Sequence, residues 1–366
     1  GSPYSRVATA VLAANSRSAE SELRAAQLRA RAASKNWLPT IGPSISLTSL
    51  GSVVANLVVE QVIYDNGRKK GEREFAVADV EVAAVALSSD TNTRVRTGLD
   101  LYVTAVEARE KFVLASASAK DIGHFEWVMQ QRVEGGVSDS SDLHILRQKL
   151  LEIRASQTAA AEAANTAIAE LNAMAIGDLS GVTGTAPLPV RAGLAQPLPV
   201  TLAEAEKTRA IAAAKVDRAS QLPGLSASGT VGEDSTFGLR LTSDSLLGFG
   251  TGDRLKAIEA TTEAAGRYVA QATEDANRKL RKFEGQIAAK ERQAAEAAAL
   301  TEQAKQNLDV FQAQYDAGQR QVMDVVGVYE TFARQQENEV TLKYEAIRLR
   351  IAMAELLGVL ADGSNI

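Results

Sequence analysis

Chemistry needs nucleophilic, titratable or metal-binding side chains at matched spacing, and this sequence offers few. It has no cysteine, which excludes a disulfide framework, a thiolate metal site and a thiol nucleophile. Its only histidines, His124 and His144, have no paired-His or cysteine spacing around them. Gly248-Phe249-Gly250-Thr251-Gly252 follows a strand pattern and opens a helix, as a dinucleotide fingerprint does. The helix it opens is some 64 residues long and no parallel strand returns, so no cofactor, metal or catalytic residue is expected. Side chains able to pair and to cap collect instead at two turns. One runs Glu134-Gly135-Gly136-Val137-Ser138-Asp139-Ser140 to Asp142; the other runs Tyr315-Asp316-Ala317-Gly318-Gln319-Arg320 to Asp324. The formal net charge of −5 over 366 residues gives no basic field for a nucleic acid. Gly1-Ser2 has the look of an expression scar, so a signal peptide would already be gone.

The elements that position these turns follow from the prolines. All eight stand at positions 3, 39, 43, 187, 189, 197, 199 and 223, leaving 44–186 and 224–366 free of proline. Both tracts are 143 residues long, and proline-free Ala/Glu/Lys/Arg/Leu sequence is where long helices form. Equal lengths suggest a duplication. Trp37-Leu38-Pro39 aligns with Gln221-Leu222-Pro223, Tyr64-Asp65-Asn66-Gly67 with Phe249-Gly250-Thr251-Gly252, and Gly136 and Asp142 with Gly318 and Asp324, at nearly one offset. The expected first repeat, 3–176, holds a helix (5–36), two strands (about 38–65), a long helix (67–133) and a shorter helix (141–176). The second, 201–360, holds a helix (201–220), strands (about 224–248), a long helix (252–315) and a shorter one (322–357). A connector covers 177–200, and 361–366 is a tail. At ~1.5 Å per residue each long helix makes a rod on the order of 100 Å. In the first half the two shorter helices together match it, so they could run antiparallel beside it.

The strand segments alternate apolar and polar residues, and residues 36–59 carry no charge. Hairpin tips are expected at Gly51-Ser52 and Gly232–Ser235. Strands of this length suit a tilted membrane crossing, yet four cannot close, and an open edge in lipid leaves backbone groups unpaired. Closure therefore needs several chains: two at minimum, and three for about twelve strands. Trp37, Tyr64 and Phe249 fall at the helix-side ends of the strands, where an interfacial aromatic belt would sit. Asn56, Glu60, Arg240 and Asp244 fall on the polar face and would line a watery lumen. A small soluble sandwich capping a coiled rod is the competing reading of the same pattern.

In this order of elements the sequence resembles the TolC-like outer-membrane efflux proteins, trimeric channel-tunnels of Gram-negative bacteria. The resemblance covers residues 5–360. It rests on Trp37-Leu38-Pro39, on Tyr64-Asp65-Asn66-Gly67 and above all on Tyr315 through Val326, with Gly135-Gly136-Val137 and Asp142-Leu143 as the first tip. It implies a homotrimer with a 12-stranded barrel in outer-membrane lipid and a helical barrel in the periplasm. It also implies a periplasmic adaptor and an inner-membrane transporter as partners. Under it Asp324, Arg320, Tyr315 and Asp142 are gate positions. Asp324 would stand one helical turn beyond Arg320 and share its face. Small residues at Gly135, Gly136, Val137, Gly318 and Gln319 would admit the adaptor. Gly327 departs from the resemblance, standing where an acidic residue is common. The plain alternative for each is capping of a helix at a turn. A coiled-coil scaffold with a soluble β cap and a secreted pore-former remain the other functional readings. Nothing in the sequence chooses drug, metal or protein as cargo, or one pump and adaptor over another.

Overall fold

The computed structural model describes residues 1–14, 18–49, 52–232, 235–244 and 247–361. The expected hairpin tips at Gly51 and Glu233-Asp234, and residues 362–366 of the tail, lie outside them. The chain order is α1 (Pro3–Ala13), α2 (Ser18–Ala33), β1 (Thr40–Ser49), β2 (Ser52–Tyr64), α3 (Arg68–Glu134) and α4 (Ser140–Ala173). It continues with α5 (Leu198–Ser220), β3 (Gly224–Val231), β4 (Thr236–Thr242), α6 (Thr251–Asp316) and α7 (Val322–Leu356). The molecule is mainly helical, with one antiparallel sheet in the order β1-β2-β3-β4.

Several element bounds depart from the sequence expectation, among them the end of β4 at Thr242 rather than about 248. The first helix is two, because its parts have different burial to satisfy. Tyr4, Val7 and Val11 stripe one face of α1 and are fully buried, whereas α2 is polar around a single buried Ala26. Helix α5 starts at Leu198 rather than 201. Its Pro199 sits in the first turn, where the missing N–H has no helical partner to lose.

The chain forms two compact units. The first comprises Gly1–Asn15, Thr91–Ala195 and Arg278–Ile366. Its core packs Tyr4 and Val7 of α1 against Leu99 and Tyr102 of α3, Leu171 of α4 and Ile351 of α7. The connector is irregular, so its carbonyls need donors from the helices. Arg109 gives N–H groups to the Ser180 and Val182 carbonyls at 3.0 and 3.1 Å, and the Tyr102 hydroxyl donates to the Gly184 carbonyl at 2.7 Å. Arg350 reaches the Leu188 carbonyl at 3.3 Å. Helix α7 ends on Gly358 at φ +68°, and the chain then crosses α3. There the fully buried Asn92 Oδ1 accepts the Leu360 and Ala361 N–H groups at 2.8 and 3.2 Å.

The second unit comprises Ser16–Asp90 and Gln196–Asn277 and carries the sheet. Asn36 ties the end of α2 to the start of α3: its amide donates to the Lys69 carbonyl and the Glu72 carboxylate, and its Oδ1 accepts from Arg73 at 2.7 Å. Asp79 on α3 pairs with Arg29 of α2 and Arg209 of α5. Between β2 and α3, Asn66 and Gly67 both have positive φ, +55° and +85°. Asparagine and glycine tolerate this conformation, and the Asn66 amide also donates to the Pro223 carbonyl at 2.8 Å.

Replacing Asn92 by Ala leaves two buried N–H groups without an acceptor and should cost roughly 1–3 kcal/mol, read by chemical denaturation. A second expectation concerns alkaline pH. Burial, then the neighbouring Tyr4, pushes the Tyr102 phenol up to about 12. Burial, reinforced by a bond to Glu110, raises Tyr344 as well. Because both folded values lie above the free phenol's, their contribution is complete below about pH 10 and is lost as pH rises through the folded values. Absorbance titration at the phenolate band should show part of the seven tyrosines ionising late and together with unfolding. A single early step for all of them would contradict this burial.

Candidate functional site: the sheet faces and the two helix turns

Residues paired across strands share a face, so the register sorts the sheet into two surfaces. On one lie Ile41, Val59, Gly229 and Phe237 in a row, with Pro43, Leu57 and Val231 to one side and Ala227 and Leu239 to the other. Leu225 and Leu241 complete it. A bulge at Ile63 breaks the alternation of β2 and brings Tyr64 opposite Leu225, onto this face. Among the described residues the one polar side chain there is Gln61, whose amide donates to the Trp37 and Val62 carbonyls at 3.1 and 3.0 Å. The face is open: Phe237 is 82%, Leu241 73% and Ile41 66% exposed.

The opposite face carries Thr40, Ser44, Asn56, Glu60, Ser226, Ser228, Thr230, Thr236, Arg240 and Thr242, with Val58 and Val62 among them. Glu60 and Arg240 are its charges among the described residues. Asp244, expected on this face, lies beyond β4 and is paired with Arg68 at the start of α3. It belongs to the strand–helix junction because β4 ends at Thr242. Strands β1 and β4 each pair on one side only within the chain, so both outer edges keep unpaired backbone groups. Trp37, Tyr64 and Phe249 are all strongly exposed at the helix-side end of the strands.

Both turns belong to the first unit and share one apolar cluster: Ile122, Phe125 and Met129 of α3, Leu143, Leu146 and Leu150 of α4, Leu308 of α6, and Val322, Val325, Val326 and Tyr329 of α7. They are built alike. The Gly136 N–H donates to the Val133 carbonyl (3.0 Å) and the Val137 N–H to Arg132 (2.8 Å), with φ +72° at Gly136. The Gly318 N–H donates to Tyr315 (2.8 Å) and the Gln319 N–H to Gln314 (2.7 Å), with φ +73° at Gly318. This double bond satisfies the last carbonyls of α3 and α6 and needs a glycine at the left-handed residue. Three residues after each glycine comes the next helix cap. Asp139 accepts the Ser141 N–H at 3.1 Å, a bond that holds its carboxyl below the usual range. Gln321 and Asp324 form a reciprocal capping box.

The structure thus gathers the four expected gate residues at one end of the helices but does not pair them. Arg320 precedes α7, so it shares no helical face with Asp324. Its guanidinium bonds the Gln314 amide oxygen at 2.8 Å and lies 4.3 Å from the Phe311 ring centre. Asp324 caps α7, accepting the Gln321 N–H at 3.2 Å. Tyr315 is half-buried against the shared cluster, and Asp142 stands in the first turn of α4 at the place Asp324 occupies in α7. Gly135, Gly136, Val137, Gly318 and Gln319 are exposed.

Other residues tie α7 to the first helical hairpin. The Tyr329 hydroxyl donates to Asp121 at 2.7 Å, Lys149 pairs with Glu330, and Arg348 bridges to the buried Glu107. Sequence reasoning missed these, since the partners lie 181–241 residues apart and no local spacing marks them. The caps were legible, because Asp139 and Asp142 repeat the interval of Gln321 and Asp324.

The fold is similar to those of solved bacterial outer-membrane proteins. A membrane protein from Pseudomonas aeruginosa superposes with TM-score 0.83 at 16% identity, over 98% of this chain and 90% of that one. The outer membrane protein VceC of Vibrio cholerae gives TM-score 0.79 at 16% identity, over 93% and 92%. The open-state MtrE outer membrane channel of Neisseria gonorrhoeae gives 0.77 at 15% identity, over 98% and 89%. The resemblance to TolC-like channels read from the sequence is therefore one of fold across nearly the whole chain. No family model and no curated protein matches the sequence.

The capping geometry makes a differential expectation. Asp324→Ala removes the capping box and should cost about 1 kcal/mol, while Asp142→Ala should stay within about 0.5 kcal/mol. Gly327 lies inside α7, exposed, with nothing within 4 Å of an added Cβ. Gly327→Ala should therefore stabilise the helix by roughly 0.5–1 kcal/mol, measured in the same denaturation series.

Proposed function

We propose that the chain is one subunit of a homotrimeric outer-membrane channel-tunnel of a Gram-negative cell. The observation that carries this is the sheet: an exposed apolar face, a polar face and two unpaired edges in one four-stranded element. In lipid the apolar face meets hydrocarbon, but each bare edge would cost several kcal/mol per unpaired group. Joining β1 of one copy to β4 of the next removes every edge, and three copies give twelve strands around a lumen lined by Asn56, Glu60 and Arg240. The likeness to solved outer-membrane channels supports the same arrangement. The two helical repeats then stand in the periplasm as the tunnel wall. An adaptor of an inner-membrane pump docks on the tips at Gly135-Gly136-Val137 and Gly318-Gln319. The complex exports small molecules or proteins, by tripartite efflux or by type I secretion.

The channel needs a constriction rather than a catalyst. Asp142 and Asp324 occupy equivalent positions in the first turns of α4 and α7, so three copies would bring six carboxylates to the narrow end. Arg320 and Tyr315 shape the same end, Arg320 by holding the second turn against Phe311 and Gln314. The absence of an acidic residue at Gly327 leaves this ring less charged than one with a further carboxylate one turn on.

Two measurements test the reading. Detergent-extracted protein should run as a trimer, and an extracted monomer that is soluble without detergent would refute it. In planar bilayers the double variant Asp142→Ala/Asp324→Ala should raise single-channel conductance and weaken cation selectivity. Unchanged values of both would remove these carboxylates from the gate.

A further inference from the structure

The strand–helix junctions carry a charge pattern that the channel reading does not use. Segments 34–39, 65–74, 215–223 and 244–257 flank the four strands on the helix side, and together they hold nine Lys/Arg against six Asp/Glu in a chain whose net charge is −5. The sign of the chain is reversed there. Most of the acids are already engaged inside the unit. Asp65 accepts the Gly67 and Lys69 N–H groups, Glu72 and Asp244 pair with Arg68, and Glu74 pairs with Lys215. Cations left over stand at every junction: Lys35 before β1, Lys70 after β2, Arg218 before β3 and Arg254 after β4, where Lys256 adds a further exposed charge. All five are exposed, and none is in an ion pair among the described residues.

From the sheet toward the helices the exposed surface therefore changes in a fixed order. First come Phe237, Leu239, Leu241 and Ile41, then Trp37, Tyr64 and Phe249, then Lys35, Lys70, Arg218 and Arg254, of which Lys70 also faces Glu74 one helical turn on. Hydrocarbon, interface and phosphate follow one another in the same order in a bilayer leaflet.

We propose that Lys35, Lys70, Arg218 and Arg254 form a binding zone for the phosphates of anionic glycerophospholipids in the leaflet on the helix side of the sheet. The proposal rests on the membrane reading of the sheet and adds to it a lipid class. Charge makes it selective, since a zwitterionic headgroup also presents an ammonium to the same cations. Long Lys and Arg side chains reach toward headgroups while their stems cover apolar surface, which suits positions just past the aromatic residues.

The full-length assembled protein should be reconstituted in nanodiscs of equal phosphatidylglycerol and phosphatidylcholine, then extracted and its retained lipid counted by native mass spectrometry. Phosphatidylglycerol should be enriched by roughly fivefold or more at low salt, and the enrichment should fall as sodium chloride rises. The variant Lys35→Gln/Lys70→Gln/Arg218→Gln/Arg254→Gln should lose it, as should each single Gln variant in part, so the test survives poor assembly of the quadruple variant. Lys279→Gln/Lys282→Gln, which removes two exposed charges elsewhere on α6, should leave it unchanged. Equal retention of both lipids by the unaltered protein, or unchanged enrichment in the quadruple and single variants, overturns the proposal. Abolition of the enrichment by millimolar inorganic phosphate at constant ionic strength would also overturn it, by making the zone a free-phosphate site. Failure to enter even pure phosphatidylcholine discs would instead refute the membrane reading beneath it.

Discussion

The constraint on which the rest depends is the pairing of backbone N–H and C=O groups at the outer edges of β1 and β4. Inside a soluble core an edge can be covered or wetted; in hydrocarbon it can only be paired with another strand. A single chain of this protein has a sheet too narrow to curl onto itself. Its uncovered apolar face excludes leaving the sheet in water without a large exposed patch. Association of copies satisfies both demands at once, which is why the two unpaired edges say more about function than any single side chain does.

That demand also accounts for the chemistry the sequence lacks. A conduit works through shape and charge at its wall and its narrow end. Free cysteines and histidine clusters are not required for it. The positions that shape the two turns are glycines with positive φ and the caps that follow them. At both turns the glycine closes one long helix and the residue three later opens the next, so four helix ends are satisfied within a few residues. The turns are thereby fixed from within each chain, and their carboxylates are placed by capping before any second copy arrives. A residue that caps a helix and a residue that lines an aperture are compatible roles. The cap fixes where the carboxylate stands, and symmetry decides what it faces.

Much of this was legible in the sequence, because the signals are local. Proline placement marked the helices, alternation marked the strands, and Gly136 and Gly318 with their trailing acids marked the turns. What the sequence hid was of two kinds. Partners remote along the chain, such as Tyr329 with Asp121 or Asn92 with the Leu360 and Ala361 N–H groups, leave no spacing to read. Small shifts of backbone register also escaped. The bulge at Ile63 turns Tyr64 to the apolar face. Helix α7 starts at Val322 as expected, so Arg320 lies before it and the helical face it was expected to share with Asp324 does not exist. A one-residue shift reverses a strand's faces, so alternation fixes a strand's character better than the address of its last residue.

The first unit is held together at two levels along its helices. Its apolar contacts form two separate clusters, one around Tyr102 and the connector and one beneath the turns. Near the first, α3 and α7 are held by buried or half-buried groups: Asn92 on the Leu360 and Ala361 N–H groups, Glu107 with Arg348, and Tyr344 with Glu110. Beneath the turns the ties between the two helical hairpins thin to Tyr329 with Asp121 and Lys149 with Glu330, and the remaining turn bonds run within one hairpin. A partly exposed ion pair such as Lys149 with Glu330 contributes about 1 kcal/mol or less, whereas separating Tyr329 from Asp121, or the contacts near the connector, would strand buried polar groups. Charged ties between the hairpins are fewer beneath the turns, but there Ile122, Leu146 and Val325 join the hairpins by fully buried apolar contact. In the proposed channel, opening at the turns would act on this cluster, which is distinct from the one around Tyr102 and the connector.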